Sequence, residues 1–260
     1  MNHLFLTRRF FFFFAQHTLV IYDCNLTTLP PRMEQLTEMV DFDVAINQLE
    51  MFDVDVLQWK RLDMLYLTYN KLKRFDKNGV WRHPNLAYLH LSDNIGFELP
   101  NATTDIAMPS LLYFGCRNNS VDIHLPFDNI HFPKLLDLWI NGNNIINFPD
   151  ISLKETLQYL AVARCNLKIL PSYLSEFKYL RYLDARDNNI STVNDDLKML
   201  INSNEAETYF SGNTVCKTDE TLECEELCSK YCLGRHFLGN NVCEDECNTV
   251  KCEHDKGDCL

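Results

Sequence analysis

One spacing of hydrophobic residues recurs along most of the chain. The clearest copy reads LxxLxLxxNxLxxF, with apolar side chains at Leu62, Leu65, Leu67, Leu72 and Phe75. Its polar position recurs every 22–25 residues, at Cys24, Asn47, Asn70, Asn94, Asn119, Asn143, Cys165, Asn188 and Asn213. Side chains alternate between the two faces of a strand, so the paired leucines of LxL point inward and the residue between them points outward. The sequence therefore predicts one short strand in each of nine turns.

The repeats also predict how the turns assemble. A single turn cannot bury its own leucines, whereas stacked turns bury them against one another and form a parallel sheet. The amide at the polar position is suited to satisfy backbone groups of its own turn and of the neighbouring turn. Over residues 19–215 this pattern resembles the leucine-rich-repeat family. The resemblance implies an α/β fold, a horseshoe solenoid of about nine turns with one parallel sheet.

The two ends of the repeat array differ. Residues 211–216 close the ninth copy with a cysteine and form a candidate cap, whereas we expect no comparable cap before the first copy. In residues 1–18, Arg8 and Arg9 precede a run of phenylalanines, Phe10–Phe14. Two interpretations stay open for this segment: a poor signal peptide, or a truncated or misjoined N-terminus of a longer protein.

Cysteine sets the last segment apart. Eight of the 11 cysteines lie in residues 216–260, where the leucine period ends. A segment this short needs disulfides or a metal to fold, and dense disulfides indicate an oxidising compartment. Zinc is the alternative, although the sequence of this tail contains no C-x2-C pair. Cys24, Cys116 and Cys165 are expected to remain thiols, because two turns separate Cys116 from Cys165 by about 10 Å.

The tail also carries a second resemblance. The stretch from Cys243 to Cys259 has the spacing C-x3-C-x4-C-x6-C and resembles a Notch-type repeat. The pairing of that family, carried over, implies the bridges Cys228–Cys252, Cys232–Cys247 and Cys243–Cys259. Cys216 and Cys224 then remain to pair with each other. The alternative is that Cys224, rather than Cys228, is the first cysteine of the repeat.

The Notch-type resemblance further implies a calcium site. The matching ligand positions are Asn240, Asp255 and Asp258, whose oxygens suit calcium. The sequence departs from the family pattern at Lys256, which stands in place of a glycine, and at Phe237, which stands where an acidic ligand is usual. These departures predict weak binding. The alternative is that the two aspartates only solvate a loop.

The net charge and the sequence motifs argue against several classes of function. A net charge of −12 argues against a nucleic-acid partner. No apolar run approaches the roughly 18 residues of a membrane span, so we expect none in this chain. We find no catalytic motif and expect no enzyme. Sequons at Asn25, Asn101, Asn118 and Asn189 predict glycosylation if the chain is secreted.

Recognition is therefore the predicted function. The outward strand positions place Tyr66, His90 and Trp139, with Tyr69 at a strand end, on the concave face, and exposed aromatic groups are typical of binding sites. The alternative is that these rings only stabilise the sheet by cross-strand contacts. We expect an extracellular or cell-surface module that binds a protein or peptide. An intracellular scaffold and a regulator of proteolysis through the Notch-type repeat are the other candidates.

Overall fold

One sheet organises the chain. The computed structural model describes residues 11–15, 17–75, 79–100, 106–145, 148–149, 151–203, 206–222, 224 and 248. Ten strands in these ranges form the sheet and follow one another in chain order. They are β1 (Phe11–Ala15), β2 (Thr18–Tyr22), β3 (Asp41–Asp43), β4 (Met64–Tyr66), β5 (Tyr88–His90), β6 (Tyr113–Gly115), β7 (Asp137–Trp139), β8 (Tyr159–Ala161), β9 (Tyr182–Asp184) and β10 (Glu207–Tyr209).

Strands β2 to β10 are parallel and pair without a register shift. Phe42, Leu65 and Leu89 lie side by side on β3, β4 and β5, and the same inward position continues to Leu183. Leu65 and Leu138 are fully buried. The predicted inward frame of the strands is therefore confirmed.

The N-terminal edge differs from the expectation. Strand β1 pairs antiparallel with β2, with Phe11 opposite Tyr22 and Ala15 opposite Thr18. The backbone edge of β2 is therefore covered, although the sequence indicated no cap there. The repeat pattern missed this strand because a hairpin partner does not follow the leucine spacing.

Short helical segments lie between some of the strands. Single 3₁₀ turns occur at Met33–Gln35, Val56–Gln58, Val80–Arg82 and Ser172–Glu176. Helix α1 (Asp195–Asn202) is capped at its N-terminus by Asn194, whose side chain accepts a hydrogen bond from the backbone N–H of Leu197. No helix in the described part of the chain is long and apolar enough to cross a membrane.

The polar position of the repeat forms a ladder of buried asparagines. Asn70 illustrates the pattern: its Nδ2 donates to the carbonyls of Val44 in the preceding turn (3.0 Å) and Leu67 in its own turn (3.1 Å). Its Oδ1 accepts from the backbone N–H of Leu49 at 3.1 Å. Each amide thus joins two turns, as the sequence predicted.

Cys165 imitates this pattern in part. Its Sγ lies 3.4 Å from the carbonyl of Ile140 and 3.3 Å from that of Ala163. Cys24, Cys116 and Cys165 are unpaired thiols, as expected, and burial raises the pKa of Cys116 to about 12 and that of Cys165 to about 11. These two thiols are therefore protonated and unreactive near neutral pH.

A compact cap follows the last strand. Helix α2 (Val215–Thr218) leads to a disulfide between Cys216 and Cys224, whose Cα atoms lie 5.7 Å apart. This is one of the four pairs that the sequence suggested. Lys198 of α1 approaches Asp219 within 2.6 Å and ties the helix to the cap.

Several predicted positions lie outside the described residues. They are the calcium ligands Asn240, Asp255 and Asp258, the sequon Asn101, and the bridges Cys228–Cys252, Cys232–Cys247 and Cys243–Cys259. The other three sequon residues, Asn25, Asn118 and Asn189, are exposed.

Candidate concave binding face

The concave face consists of the outward side chains of the strands and of the residues that directly continue them. Along β3, β4, β5 and β7 the middle residue is buried and its two neighbours are half-buried, as alternation requires. Backbone hydrogen bonds between neighbouring turns continue past the ends of the strands. Examples run from the N–H of Cys116 to the carbonyl of Trp139 and from the N–H of Asn118 to that of Asn141. Because Cys116 and Ile140 are buried, the next residues, Arg117 and Asn141, return to the concave face.

A stack of three rings occupies the middle of this face. The His90 ring lies 4.2 Å from the Tyr66 ring and 4.3 Å from the Tyr113 ring, at interplanar angles of 17° and 22°. Burial, with a smaller contribution from the charge of Arg117, lowers the pKa of His90 to about 4. The imidazole is therefore neutral at pH 7.

Gly115 permits this stack. A Cβ on Gly115 would come within 2.8 Å of two atoms of the Tyr113 ring system, so the ring crosses the space that a side chain would fill. Gly115 pairs with His90 across β5 and β6. The missing side chain therefore lets Tyr113 reach the imidazole of the neighbouring strand.

A second group lies beside this stack. The Cζ atom of Arg117 is 5.8 Å from the centroid of the Trp139 ring, which also stacks on Tyr182 at 5.6 Å. A positive charge above an indole ring is stabilising, by about 0.5–2 kcal/mol depending on exposure. Arg117 and Trp139 are both half-buried and remain at the surface.

Buried polar atoms without partners concentrate here. Within the described ranges, five side-chain N or O atoms are buried without a hydrogen bond, and four belong to this face: His90 Nε2, Arg117 Nε, Trp139 Nε1 and Asn141 Oδ1. Each such atom costs about 1–3 kcal/mol. Four such atoms within three neighbouring turns mark this face as a candidate site.

The two ends of the face differ in accessibility. Toward the C-terminus, Ala161 and Tyr182 are buried, and Asp184 is only 2% exposed in a two-bond ion pair with Arg186. Alternation along the strands predicts that Ala161 and Asp184 continue the row of outward positions. Their burial closes both positions to a ligand. Tyr182 and Tyr209 cover them, with Trp139 packed against the same cluster.

Toward the N-terminus the face is acidic. Asp41 and Asp43 lie on β3, and Asp63 directly precedes β4. Burial raises the pKa of Asp43 and of Asp63, the latter also because of the charge of Asp41. Farther along, burial raises the pKa of Asp137 on β7 to about 6.

The four predicted site residues do not form one cluster. It brings Tyr66 and His90 into direct contact, whereas Trp139 lies two strands from His90 with Gly115 between them. Tyr69 occupies the turn after β4, is 57% exposed and has a positive φ of 53°. The site predicted from the sequence did not include Tyr113, Arg117 or Asn141. Extending the alternation by two residues beyond each strand would have identified the last two.

Comparison with known proteins agrees with this architecture. The family model for the leucine-rich repeat matches residues 37–94. This chain folds as a leucine-rich-repeat solenoid. No curated protein matches the solenoid sequence.

Two solved structures show the same fold at low identity. A leucine-rich-repeat protein of Leptospira interrogans is 21% identical, with a TM-score of 0.57, over 78% of this solenoid chain and 58% of its own. An internalin of Listeria monocytogenes is 16% identical, with a TM-score of 0.51, over 81% of this chain and 66% of its own. The chain therefore spans less than two thirds of the length of either protein.

Proposed function

We propose that this solenoid is a non-catalytic recognition module that binds a protein or peptide ligand on its concave face. The observation that carries the proposal is the concentration of unpartnered buried polar atoms beside the Tyr66–His90–Tyr113 stack. Aromatic side chains and arginine are enriched in binding hot spots, where they lose their water on complex formation. A bound ligand would supply the hydrogen bonds that this face lacks.

Site-specific photo-crosslinking tests the position of the ligand. A photoreactive phenylalanine analogue replaces Tyr66 on the concave face or Ile130, which is 83% exposed on the segment between β6 and β7. In fluid from the native source, we expect one discrete adduct from position 66 and none from position 130. Adducts only from position 130 would move the ligand to the other side of the solenoid.

The proposal extends to an extracellular or cell-surface location. The Cys216–Cys224 bridge supports it, because structural disulfides persist in oxidising compartments. Electrophoresis of native-source protein, run with and without reductant, tests this location. We expect slower migration after reduction only. Free thiols at all cysteines would instead favour the intracellular scaffold.

We also propose that the tail is a Notch-type repeat that binds calcium weakly through Asn240, Asp255 and Asp258. Its support is the cysteine spacing together with the acidic residues before Cys259. Calcium bound there would stabilise a module too small for a large apolar core. Regulation of proteolysis would require a neighbouring domain for this repeat to mask.

A further inference from the structure

Arg117 differs from the other arginines near the ladder because no carboxylate faces it. Arg164 pairs with Asp187 at 3.1 Å, and Arg186 pairs with Asp184 at 2.7 Å. Within the part of the chain that the structure describes, no carboxylate forms an ion pair with Arg117. The groups near its guanidinium are instead the rings of His90, Tyr113 and Trp139.

The polar atoms around this charge are mainly donors. Arg117 Nε and Trp139 Nε1 carry hydrogens and can only donate, and both lack an acceptor. The Asn141 amide can present either its oxygen or its nitrogen after a half-turn, and His90 can present either tautomer. One group that accepts several hydrogen bonds and carries a negative charge would therefore satisfy the cluster.

We infer that the Arg117–Trp139 cluster is a subsite for an acidic side chain, Asp or Glu, of a bound peptide segment. This inference rests on the proposed function and specifies its chemistry. A carboxylate accepts from arginine in a charge-assisted pair and has further lone pairs for the indole N–H. A side-chain amide would meet the same donors but would leave the charge of Arg117 without a counterion.

The surrounding charges favour one position on the face for an acidic side chain. Asp137 lies two residues before Trp139 on the same face, and Asp41, Asp43 and Asp63 lie toward the N-terminus. These carboxylates disfavour an acidic group on the parts of the face that they occupy, whereas Arg117 attracts one. The acid of the ligand is therefore favoured beside Arg117, which would set the register of the peptide.

Selection from a random heptapeptide library tests the subsite on the full-length chain. We expect the wild-type chain to enrich peptides with Asp or Glu at one fixed position. For a selected peptide, replacing that acid with Asn or Gln should weaken binding about tenfold, the loss that corresponds to 1.4 kcal/mol. Enrichment without an acidic position would contradict the inference and leave the concave binding proposal standing.

Matched variants separate the subsite from general damage. Arg117→Gln should abolish the preference for acid while still enriching peptides, and Arg117→Lys should retain part of it. Arg82→Gln, on the 3₁₀ turn of the other side, should change nothing. An acidic preference that survives Arg117→Gln overturns the inference, as does selection that enriches no peptide. Crosslinking at position 66 reports separately on the proposed function.

Discussion

At the scale of single residues, one amide can hold two turns together. The Asn70 amide donates to carbonyls of its own turn and of the preceding turn, and it accepts from the backbone N–H of Leu49. Its loss therefore leaves backbone groups in both turns without hydrogen-bond partners. Asn70→Ala should lower the free energy of unfolding by about 1–3 kcal/mol, measured by urea denaturation. Asn189→Ala, at an exposed position beside the ladder, is the control and should stay close to wild type.

His90 makes stability depend on pH in a direction that can be derived. Its folded pKa of about 4 lies below the ordinary value of 6.5, so between these values the unfolded chain binds more protons. Its contribution to stability is complete above pH 6.5 and is lost as the pH falls toward 4. Two and a half pKa units correspond to about 3 kcal/mol as an upper value.

The matched variant for this prediction is His90→Phe, which keeps a ring between the tyrosines but cannot titrate. Asp137 has the opposite effect, because its raised pKa of about 6 adds stability as the pH falls through 6 toward 4. Its effect is common to both proteins and cancels in their difference. We expect the wild type to lose stability relative to the variant between pH 6.5 and 4. If the free energies of unfolding of the two proteins depended on pH in the same way, burial of His90 in the stack would be contradicted.

At the scale of the elements, the LxL strands supply the core. Leu138 on β7 is fully buried, and truncating it leaves a cavity between turns. Leu138→Ala should lower the free energy of unfolding by about 2–5 kcal/mol in denaturant titration. Lys134→Ala, at an exposed position just before the same strand, serves as control. Equal, small effects of the two substitutions would mean that the inward frame is misassigned.

The C-terminal cap is an element with its own covalent support. The Cys216–Cys224 bridge closes a loop with a sequence separation of 8. In the chain-entropy model a loop of this size contributes about 2–3 kcal/mol by restricting the unfolded chain. Cys216→Ala with Cys224→Ala should therefore lower the melting temperature by several degrees in calorimetry. Cys24→Ala, which removes a half-buried thiol and no bridge, is the control.

The same elements explain what the sequence could and could not predict. The strands and the asparagine ladder followed from the period, because every turn must bury the same inward positions. The Tyr66–His90–Tyr113 stack did not follow, since it depends on ring rotamers and on the space that Gly115 leaves open. Strand β1 and the burial of Asp184 could not be predicted from the repeat either, because each arises from contacts that only one copy makes.

At the scale of the whole molecule, calcium should couple the tail to stability. A ligand that binds only the folded form adds RT ln(1 + [L]/Kd) to its stability. Millimolar calcium should raise the melting temperature or protease resistance of the tail relative to chelator. Asp255→Ala and Asp258→Ala should each remove this difference, whereas Glu220→Ala should preserve it. Identical behaviour of the wild type in calcium and chelator would mean that the site is empty.

The central claim is that the concave aromatic residues serve recognition rather than stability. The most direct test is the affinity of Trp139→Ala and Tyr66→Ala for the partner captured at position 66, measured alongside their melting temperatures. A hot-spot residue contributes about 2 kcal/mol or more, so we predict that affinity falls by about thirtyfold or more. The melting temperatures should fall only by the few degrees that correspond to the lost ring contacts, about 0.5–2 kcal/mol. Normal affinity in both variants, or early unfolding of both, would contradict this account.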